Sequence, residues 1–276
     1  MFFLPAISRM ATNPSQRSAL KLLRQDTGVT DLSADPAATL AAMDKRYIPS
    51  STRVALTALR KEYPDHPVFI AEMKRRYPMW KKIDTTQEPT QKQIDKFVSW
   101  DKIIEFRDQY YEMMTPVQRL IMALYTYIPP VRLDFTPMKI VSRKPRKLEE
   151  GMNYYVRSAK PYFLLHAFKT HATLGDTVIK VPTKLKAEID KAVPVGQGYL
   201  LQTEEGSPWT ENSLGQAIRR IFKQHHNLDT GVSMLRHAYA TKFHAGQLPL
   251  ADIQKTASAM LHGPFQSMTY RFISLE

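Results

Sequence analysis

Residues 234–241 read Met-Leu-Arg-His-Ala-Tyr-Ala-Thr, and residues 260–270 read Met-Leu-His-Gly-Pro-Phe-Gln-Ser-Met-Thr-Tyr. The first stretch lies inside a predicted helix over 233–244. A second predicted helix begins at Pro249, carries apolar residues at helical spacing, and ends at Gly263-Pro264. The end of the chain is therefore predicted to be helical, with an arginine, a histidine and a tyrosine close to helix ends.

Upstream of these helices the hydrophobic period changes to two. Segments rich in β-branched and aromatic residues predict a small antiparallel sheet with strands over 138–141, 154–156, 162–168 and 178–181. Gly151 and Gly175-Asp176 mark turns between them. Further helices are predicted over 184–193, over 211–225, and from Thr115-Pro116 to Pro129-Pro130. The fold class is therefore mainly α with a small antiparallel β-sheet (α+β).

The first part of the chain is a series of predicted helices separated by proline and glycine. They cover 15–25, 37–43, 51–63 and 69–77, and Pro78 is expected to stop the last of them. A polar stretch from Asp84 to Pro89 predicts a linker, and Thr90 caps a longer helix that includes Ile104. We predict an N-terminal tail over 1–14, a helical domain over 15–88, a linker helix over 89–110 and a second domain over 111–276.

The composition favours a polyanionic partner. Lysine and arginine number 39 against 26 aspartates and glutamates, which gives a formal net charge of +13 at pH 7. No run approaches the ~20 apolar residues of a membrane span, and the basic residues do not gather on one amphipathic helix, so we expect nucleic acid and no membrane.

The chain contains no cysteine. This excludes disulfides, cysteine-ligated zinc, iron–sulfur clusters and thiol catalysis, and it suits an intracellular protein, which needs no disulfides. No P-loop and no glycine-rich dinucleotide motif is present, so we expect no cofactor.

Four short stretches bring together the residue types of one chemistry: Arg132 after a helix end in 127–135, Lys169 in a predicted hairpin, Arg236 in the helix quoted first, and the pair His262 and Tyr270. In this order and in these contexts they resemble the tyrosine recombinase and integrase family, which cleaves and rejoins DNA through a tyrosine. Within that family the stretches most resemble integrases of large DNA viruses and their parasites. The resemblance covers 111–276 well and the N-terminal helices in outline.

The resemblance implies a two-domain DNA clamp, in which 15–88 is the core-DNA-binding domain and 111–276 the catalytic domain. It implies a site-specific recombinase or integrase that works without metal through a covalent 3′-phosphotyrosyl intermediate. Tyr270 would be the nucleophile, and Arg132 and Arg236 would clamp the phosphate oxygens. Lys169 would protonate the departing 5′ oxygen, and His262 would hydrogen-bond the phosphate.

The implied partner is double-stranded DNA, on which the family assembles as a tetramer, and no small-molecule substrate is expected. The implied location is intracellular: the bacterial cytoplasm or, for a eukaryotic virus or element, the host nucleus or virus factory. A type IB topoisomerase that relaxes DNA remains an alternative, as does a decayed recombinase that only binds DNA.

Two positions depart from the family's pattern. Ser233 stands where the family usually has a histidine, three residues before Arg236, and a serine hydroxyl can hydrogen-bond a phosphate but carries no proton near neutral pH. The acidic residue usual three positions after the first arginine is replaced by Phe135. Asp134 either substitutes for it by a register shift or does not.

Two further groups of residues invite a functional interpretation. Basic side chains outside the site predict DNA contacts, with solvated surface as the alternative: Arg53, Lys74, Arg75, Arg76, Lys81, Lys82, Arg143, Lys144, Arg146 and Lys147. His237 and His244 lie seven residues apart on one predicted helix, but no third ligand type stands nearby, so we expect no metal there.

Overall fold

A computed structural model of the chain describes residues 14–86, 88–245 and 249–272. The chain divides into two compact units, Met1–Thr86 and Gln87–Glu276. The tail predicted over 1–14 lies outside the described residues except for Pro14, which begins the first helix. None of the described helices is long and apolar enough to cross a membrane.

The first unit is helical throughout its described part. Its helices are α1 (Pro14–Thr27), α2 (Pro36–Arg46), α3 (Pro49–Glu62) and α4 (Pro67–Thr86). Prolines at the first turn of α2 and α3 supply the backbone angle that starts a helix, and the Asp35 side chain accepts a hydrogen bond from the Ala38 amide. Leu23, Leu56 and Leu59 are fully buried in the core between these helices.

The prediction that Pro78 ends a helix is wrong. Helix α4 continues through Pro78 to Thr86. The turn beyond the proline is anchored by Trp80, which is buried in the core of the unit and whose indole N–H donates to the Pro49 carbonyl at 3.1 Å. Packing of this side chain compensates for the hydrogen bond that the proline cannot make.

The second unit combines helices with a small sheet. Its elements are α5 (Gln91–Ile94), α6 (Trp100–Gln109), a 3₁₀ turn (Tyr111–Met113), α7 (Pro116–Thr126), β1 (Met138–Val141), β2 (Asn153–Val156), β3 (Tyr162–Leu165), α8 (His171–Leu174), β4 (Thr177–Lys180), α9 (Thr183–Ala192), α10 (Glu211–His226), α11 (Val232–Phe243), α12 (Leu250–Ala259) and α13 (Pro264–Met268). The fold is mainly α with a small sheet, as predicted.

The predicted sheet exists, but it is not purely antiparallel. Within the described residues it has four strands in the order β1-β2-β3-β4, and β1 pairs with β2 in parallel, Met138 opposite Asn153 and Val141 opposite Val156. The remaining pairs are antiparallel. The prediction assumed that neighbouring strands form hairpins, whereas the connection over 142–152 is long enough to return β2 to the start of β1.

The single helix predicted from Thr90 through Ile104 is in fact two helices. Thr90 does form the predicted cap, but α5 ends at Ile94, and α6 begins at Trp100 with Ser99 as its cap. Trp100 is buried in the core of the second unit, where its ring meets Tyr239 edge-on at 4.9 Å. Tertiary packing of the indole therefore sets where the second helix begins.

Helix α7 lies at the centre of that core. It opens with a capping box, in which the Thr115 hydroxyl accepts from the Gln118 amide and the Gln118 side chain accepts from the Thr115 amide. Residues 120–125 are buried without a break. The helix ends at Thr126, and the turn that carries Arg132 follows directly from it.

Candidate active site

A cavity of about 670 Å³ opens where the turn after α7, the β3–β4 connection and the start of α11 meet. Predicted site residues that line it are Arg132, Lys169, Ser233, Arg236 and Tyr270. His262 does not line the cavity but contacts both Arg236 and Tyr270. The structure thus brings all six predicted catalytic side chains together, although they are spread over 139 residues from 132 to 270.

The Arg132 backbone is held on both sides. Its carbonyl accepts a hydrogen bond from the hydroxyl of buried Tyr125 at 2.6 Å, and its amide donates to the Asp134 carboxylate at 2.9 Å. One bond comes from α7 and the other from the turn itself. The side chain of Arg132 therefore leaves a fixed piece of backbone.

Arg236 lies buried in the first turns of α11, with 1% of its surface exposed, and contacts several segments of the chain. Its guanidinium donates to the Pro130 carbonyl at 2.7 Å and to the Met260 carbonyl at 3.2 Å, and it contacts the His262 ring nitrogen Nε2. These bonds join the turn after α7, the helix α11 and the end of α12.

Both arginines keep a buried nitrogen without a partner. Arg132 Nη1 and Arg236 Nε make no hydrogen bond with any described residue. An unsatisfied buried donor on a charged group costs free energy, and native proteins rarely leave one without a purpose. Because both side chains line the same cavity, an anion with several oxygens is the ligand that would satisfy them.

Tyr270 is packed against its own chain. Its carbonyl accepts a hydrogen bond from His237 Nδ1 at 2.8 Å, and its ring lies 4.8 Å from the His262 ring and 4.7 Å from the His237 ring. The Arg236 guanidinium carbon is 5.1 Å from the centre of the Tyr270 ring. The sequence predicted the tyrosine, but not that His237 would hold it.

Lys169 is exposed at the edge of the cavity, in the connection between β3 and β4. The next residue, Thr170, donates from its hydroxyl to the Leu261 carbonyl at 2.9 Å. That bond ties the lysine's hairpin to the segment that carries His262. Thr170 was missed because nothing in the sequence pairs two residues 91 positions apart.

Asp134, rather than Phe135, lies at the cavity, as expected if Asp134 takes the place of the family's acidic residue. Phe135 is fully buried in the apolar core, whereas Asp134 lines the cavity with Arg132 and Arg236. Ser233 is exposed on the first turn of α11 and lines the same cavity. Glu211, at the start of α10, is a second acidic side chain in this lining that sequence reasoning missed.

Asn153 is a further missed residue, and it is almost fully buried at the start of β2. Its side-chain nitrogen donates to the carbonyls of Asp134 and Ala167, and its oxygen accepts from the amides of His166 and Ala167 at 2.8 Å. One amide group thus joins the segments that carry Arg132 and Lys169. A lone asparagine beside a strand gives no signal of this kind in the sequence.

Burial and positive charge keep the histidines of the site neutral. Burial, with the charges of Arg236, Arg132 and Lys169, lowers the pKa of His262 from its usual 6.5 to about 3. Burial likewise lowers the pKa of His237 to about 4. The pKa of Asp134 is raised by burial, and the hydrogen bond and charge of Arg132 oppose that rise.

The predicted DNA contacts outside the cavity lie on two surfaces. Arg53, Lys74, Arg75, Lys81 and Lys82 are exposed in the first unit, and Arg143, Lys144, Arg146 and Lys147 are exposed in the β1–β2 connection. Arg76 differs, because it is buried and its guanidinium donates to Asp44 at 2.6 and 2.7 Å and to Glu72 at 2.5 Å. We leave Arg76 out of the proposed DNA-contacting set.

A groove next to the cavity carries basic residues that sequence reasoning did not select. Lys92, Lys96 and Arg219 line it together with Ser233. Lys96 forms an ion pair with Asp229.

His237 and His244, the two histidines considered for metal binding, have different hydrogen-bond partners. His237 bonds the Tyr270 carbonyl, whereas His244 Nε2 bonds the Ser267 hydroxyl at 2.8 Å.

No protein-family profile matches the chain, and no curated protein matches it by sequence. Among solved structures, the chain is similar to the XerA recombinase, with 14% sequence identity and a TM-score of 0.45 over 92% of this chain and 84% of that one. It is also similar to the XerH site-specific recombinase bound to its difH substrate in a pre-cleavage complex, with 13% identity and a TM-score of 0.45 over 94% of each chain.

Proposed function

We propose that the protein cleaves and rejoins DNA strands through a covalent phosphotyrosyl link, as a site-specific recombinase or integrase. The observation that carries this proposal is a pair of buried nitrogens, on Arg132 and Arg236, that have no partner in the described part of the chain and belong to side chains lining a cavity with Tyr270. A phosphodiester in the cavity would supply oxygens that accept hydrogen bonds from both guanidinium groups. The Tyr270 hydroxyl beside it would be the nucleophile.

Each side chain has one role in the proposed reaction. The Tyr270 oxygen attacks the phosphorus as the hydroxyl proton passes to solvent, and a 3′-phosphotyrosyl bond forms as the bond to the 5′ oxygen breaks. Arg132 and Arg236 stabilise the charge that develops on the two nonbridging oxygens. Lys169, on the exposed rim, gives its proton to the departing 5′ oxygen. The Ser233 hydroxyl hydrogen-bonds the phosphate, and neutral His262, which lies outside the cavity lining, holds the Arg236 guanidinium in place.

Basic surface near the cavity supports duplex DNA as the substrate. Lys92, Lys96 and Arg219 in the neighbouring groove would contact phosphates beside the one that is cleaved. We include the exposed basic residues of the first unit and of the β1–β2 connection in the proposed DNA contact. Assembly of four copies on DNA belongs to the same proposal.

The test is capture of the covalent adduct from a library of nicked suicide duplexes with a randomised site. In these substrates the short cleaved strand diffuses away, so an enzyme of this kind stays attached to DNA through denaturing purification. We expect adducts that sequence to a shared motif, with the linked peptide containing Tyr270. Adducts at another residue, or none from any library sequence, would overturn the proposal.

The same geometry would also serve a type IB topoisomerase. The two activities diverge after the cleavage step, because a topoisomerase relaxes supercoiled plasmid and rejoins the original strands. A plasmid that carries two copies of the captured site separates them: recombined products indicate strand exchange, and relaxed circles alone indicate a topoisomerase.

A further inference from the structure

Three metal-binding side chains meet in the connection between β3 and β4, outside the lining of the cavity. His166 Nδ1 lies 2.7 Å and His171 Nε2 2.9 Å from the same oxygen of Asp176, and all three atoms lie within 4.8 Å of one another. The spacing is five residues between successive members. Sequence reasoning examined His237 and His244 for metal binding and missed this group.

The backbone holds each member of the group in place. The His166 amide, just after β3, donates to the buried Asn153 side chain at 2.8 Å. His171 is the first residue of α8, and Asp176 lies between the end of that turn and β4. Gly175 before it has φ of +66°, which a side chain there would resist, so the chain reverses and returns Asp176 to the histidines.

Two imidazoles and one carboxylate are a ligand set for first-row transition ions such as Zn²⁺, with a water in the fourth position. Bonds of about 2.0–2.1 Å in a tetrahedron put ligand atoms roughly 3.4 Å apart. The two separations from the Asp176 oxygen are shorter than that value, so an ion would require both histidine nitrogens to move outward, and the third separation, of 4.8 Å at most, would shorten by rotation of the partly exposed rings.

We propose that His166, His171 and Asp176 bind one divalent first-row transition ion, with Zn²⁺ preferred over Mg²⁺ because of the imidazole ligands. The ion would close the loop from 166 to 176, and Lys169 lies between the first two ligands. Metal binding would therefore restrain the backbone that carries the lysine. The binding proposal does not depend on the function proposed above.

The site differs from the cavity in its chemistry. The cavity is lined by three cationic side chains against two carboxylates, whereas in the metal site the Asp176 carboxylate faces two imidazoles and is 37% exposed. The hydrogen bonds from both histidines to Asp176 also hold the loop without metal. Strand cleavage should therefore persist in EDTA, and the metal should add stability to the loop.

The experiment uses the full-length chain freed of metal with EDTA and then dialysed. Titration with Co²⁺, followed by its visible absorption, and with Zn²⁺, followed by calorimetry, should each give one ion per chain. At about 100 times the dissociation constant, Zn²⁺ should raise the melting temperature by about 5 °C. Mg²⁺ should do neither.

Asp176→Asn and His171→Gln should each weaken Zn²⁺ binding by about tenfold or more. The matched control is Asp190→Asn, since Asp190 has a similar exposure, 42%, and lies on α9 in an ion pair with Lys186. The control should bind like the wild type. A cooperative melting transition in EDTA establishes that each variant folds. Absence of stoichiometric binding by the wild type, or unchanged binding by both site variants, would overturn the proposal.

Discussion

Arg236 joins the parts of the candidate site that are far apart in sequence. Its two carbonyl partners, Pro130 and Met260, lie in the turns that precede Arg132 and His262. These bonds use part of its five donors and leave Nε directed to no protein acceptor in the described part of the chain. A guanidinium is suited to both tasks at once, because its planar group can bind carbonyls on one edge and a phosphate on another.

Tyr270→Phe tests the nucleophile. We expect no covalent adduct, because the variant lacks the attacking oxygen, and nearly unchanged duplex affinity, because the phosphate contacts come from the arginines. Denaturing gels measure the first and fluorescence anisotropy the second. Tyr239→Phe serves as the matched control, since that tyrosine is partly buried outside the cavity lining and packs on Trp100 and Phe243. A normal adduct yield from the Tyr270→Phe variant contradicts the assignment.

Ser233→Ala tests how much the departure from the family's histidine matters. The side chain is exposed at the cavity, so we expect an unchanged melting temperature. Loss of one neutral hydrogen bond to the phosphate is worth about 0.5 to 1.5 kcal/mol, which corresponds to about tenfold or less in single-turnover cleavage rate. A thousandfold loss would mean that the serine takes part in proton transfer. Ser233→His has open space in front of it and should keep or raise the rate.

At the scale of helices and strands, the sequence predicted most elements to within one to three residues. The strand over 138–141 has the predicted bounds, and α9, α10 and α11 differ from theirs by one residue at each end or less. Local patterns suffice here because amphipathic periodicity and capping residues act within a few positions.

The features that the sequence did not predict depend on contacts between distant residues. Helix α4 passes Pro78 because Trp80 binds Pro49, and β1 pairs in parallel with β2 because of a long connection. Asn153 and Thr170 join site segments through bonds to partners distant in sequence. The catalytic residue types came from short motifs, whereas the residues that position them carry no motif of their own.

In the proposed reaction, protonation of the leaving 5′ oxygen depends on Lys169 in the β3–β4 connection. Lys169→Ala should slow cleavage of an ordinary duplex by about 10² to 10⁴-fold, because the 5′ oxygen leaves without a proton donor. A substrate with sulfur in place of that oxygen should restore the rate, since a thiolate leaves unprotonated. The measurement is single-turnover cleavage of both substrates. Equal loss on both would give Lys169 another role.

Helix α11 makes the second unit sensitive to acid through His237. The pKa of His237 is about 4 in the folded chain and 6.5 in the unfolded chain. Below pH 6.5 the unfolded chain therefore binds the extra proton, and the free energy of unfolding falls. From pH 7.5 to 5 this costs about 2 kcal/mol. His237→Gln should lessen the fall in unfolding free energy over that range by about the same amount, measured by urea unfolding. An equal fall in both proteins would contradict the burial argument.

At the scale of the whole chain, the proposed binding to duplex DNA would draw on the net charge of +13. The arginines that would bind the scissile phosphate are a small part of that charge. Affinity for DNA should therefore survive changes at the cavity, and chemistry should not. Because DNA affinity and strand cleavage depend on different residues, two inactive variants can be mixed on one DNA and both should still bind it.

Such a mixture tests whether Tyr270 attacks in its own chain. The segment after the tyrosine is packed on that chain: Phe272 is buried, stacks on His237 at 4.2 Å, and its amide donates to Thr241 at 3.0 Å. Arg132 lines the same cavity as Tyr270. We therefore expect cleavage in cis, with each chain using its own arginine and its own tyrosine.

Tyr270→Phe and Arg132→Ala, each inactive alone, should give no adduct when mixed in equal amounts on a suicide duplex with two protein sites. In the mixture no single chain has both groups. If the tyrosine were instead donated to a neighbour, the Arg132→Ala chain would supply Tyr270 to the intact arginines of the Tyr270→Phe chain, and an adduct would appear. A mixture of either variant with the wild type controls for assembly, since it should retain adducts from wild-type chains alone. Adduct formation by the two variants together would show that the packing of Phe272 opens on DNA.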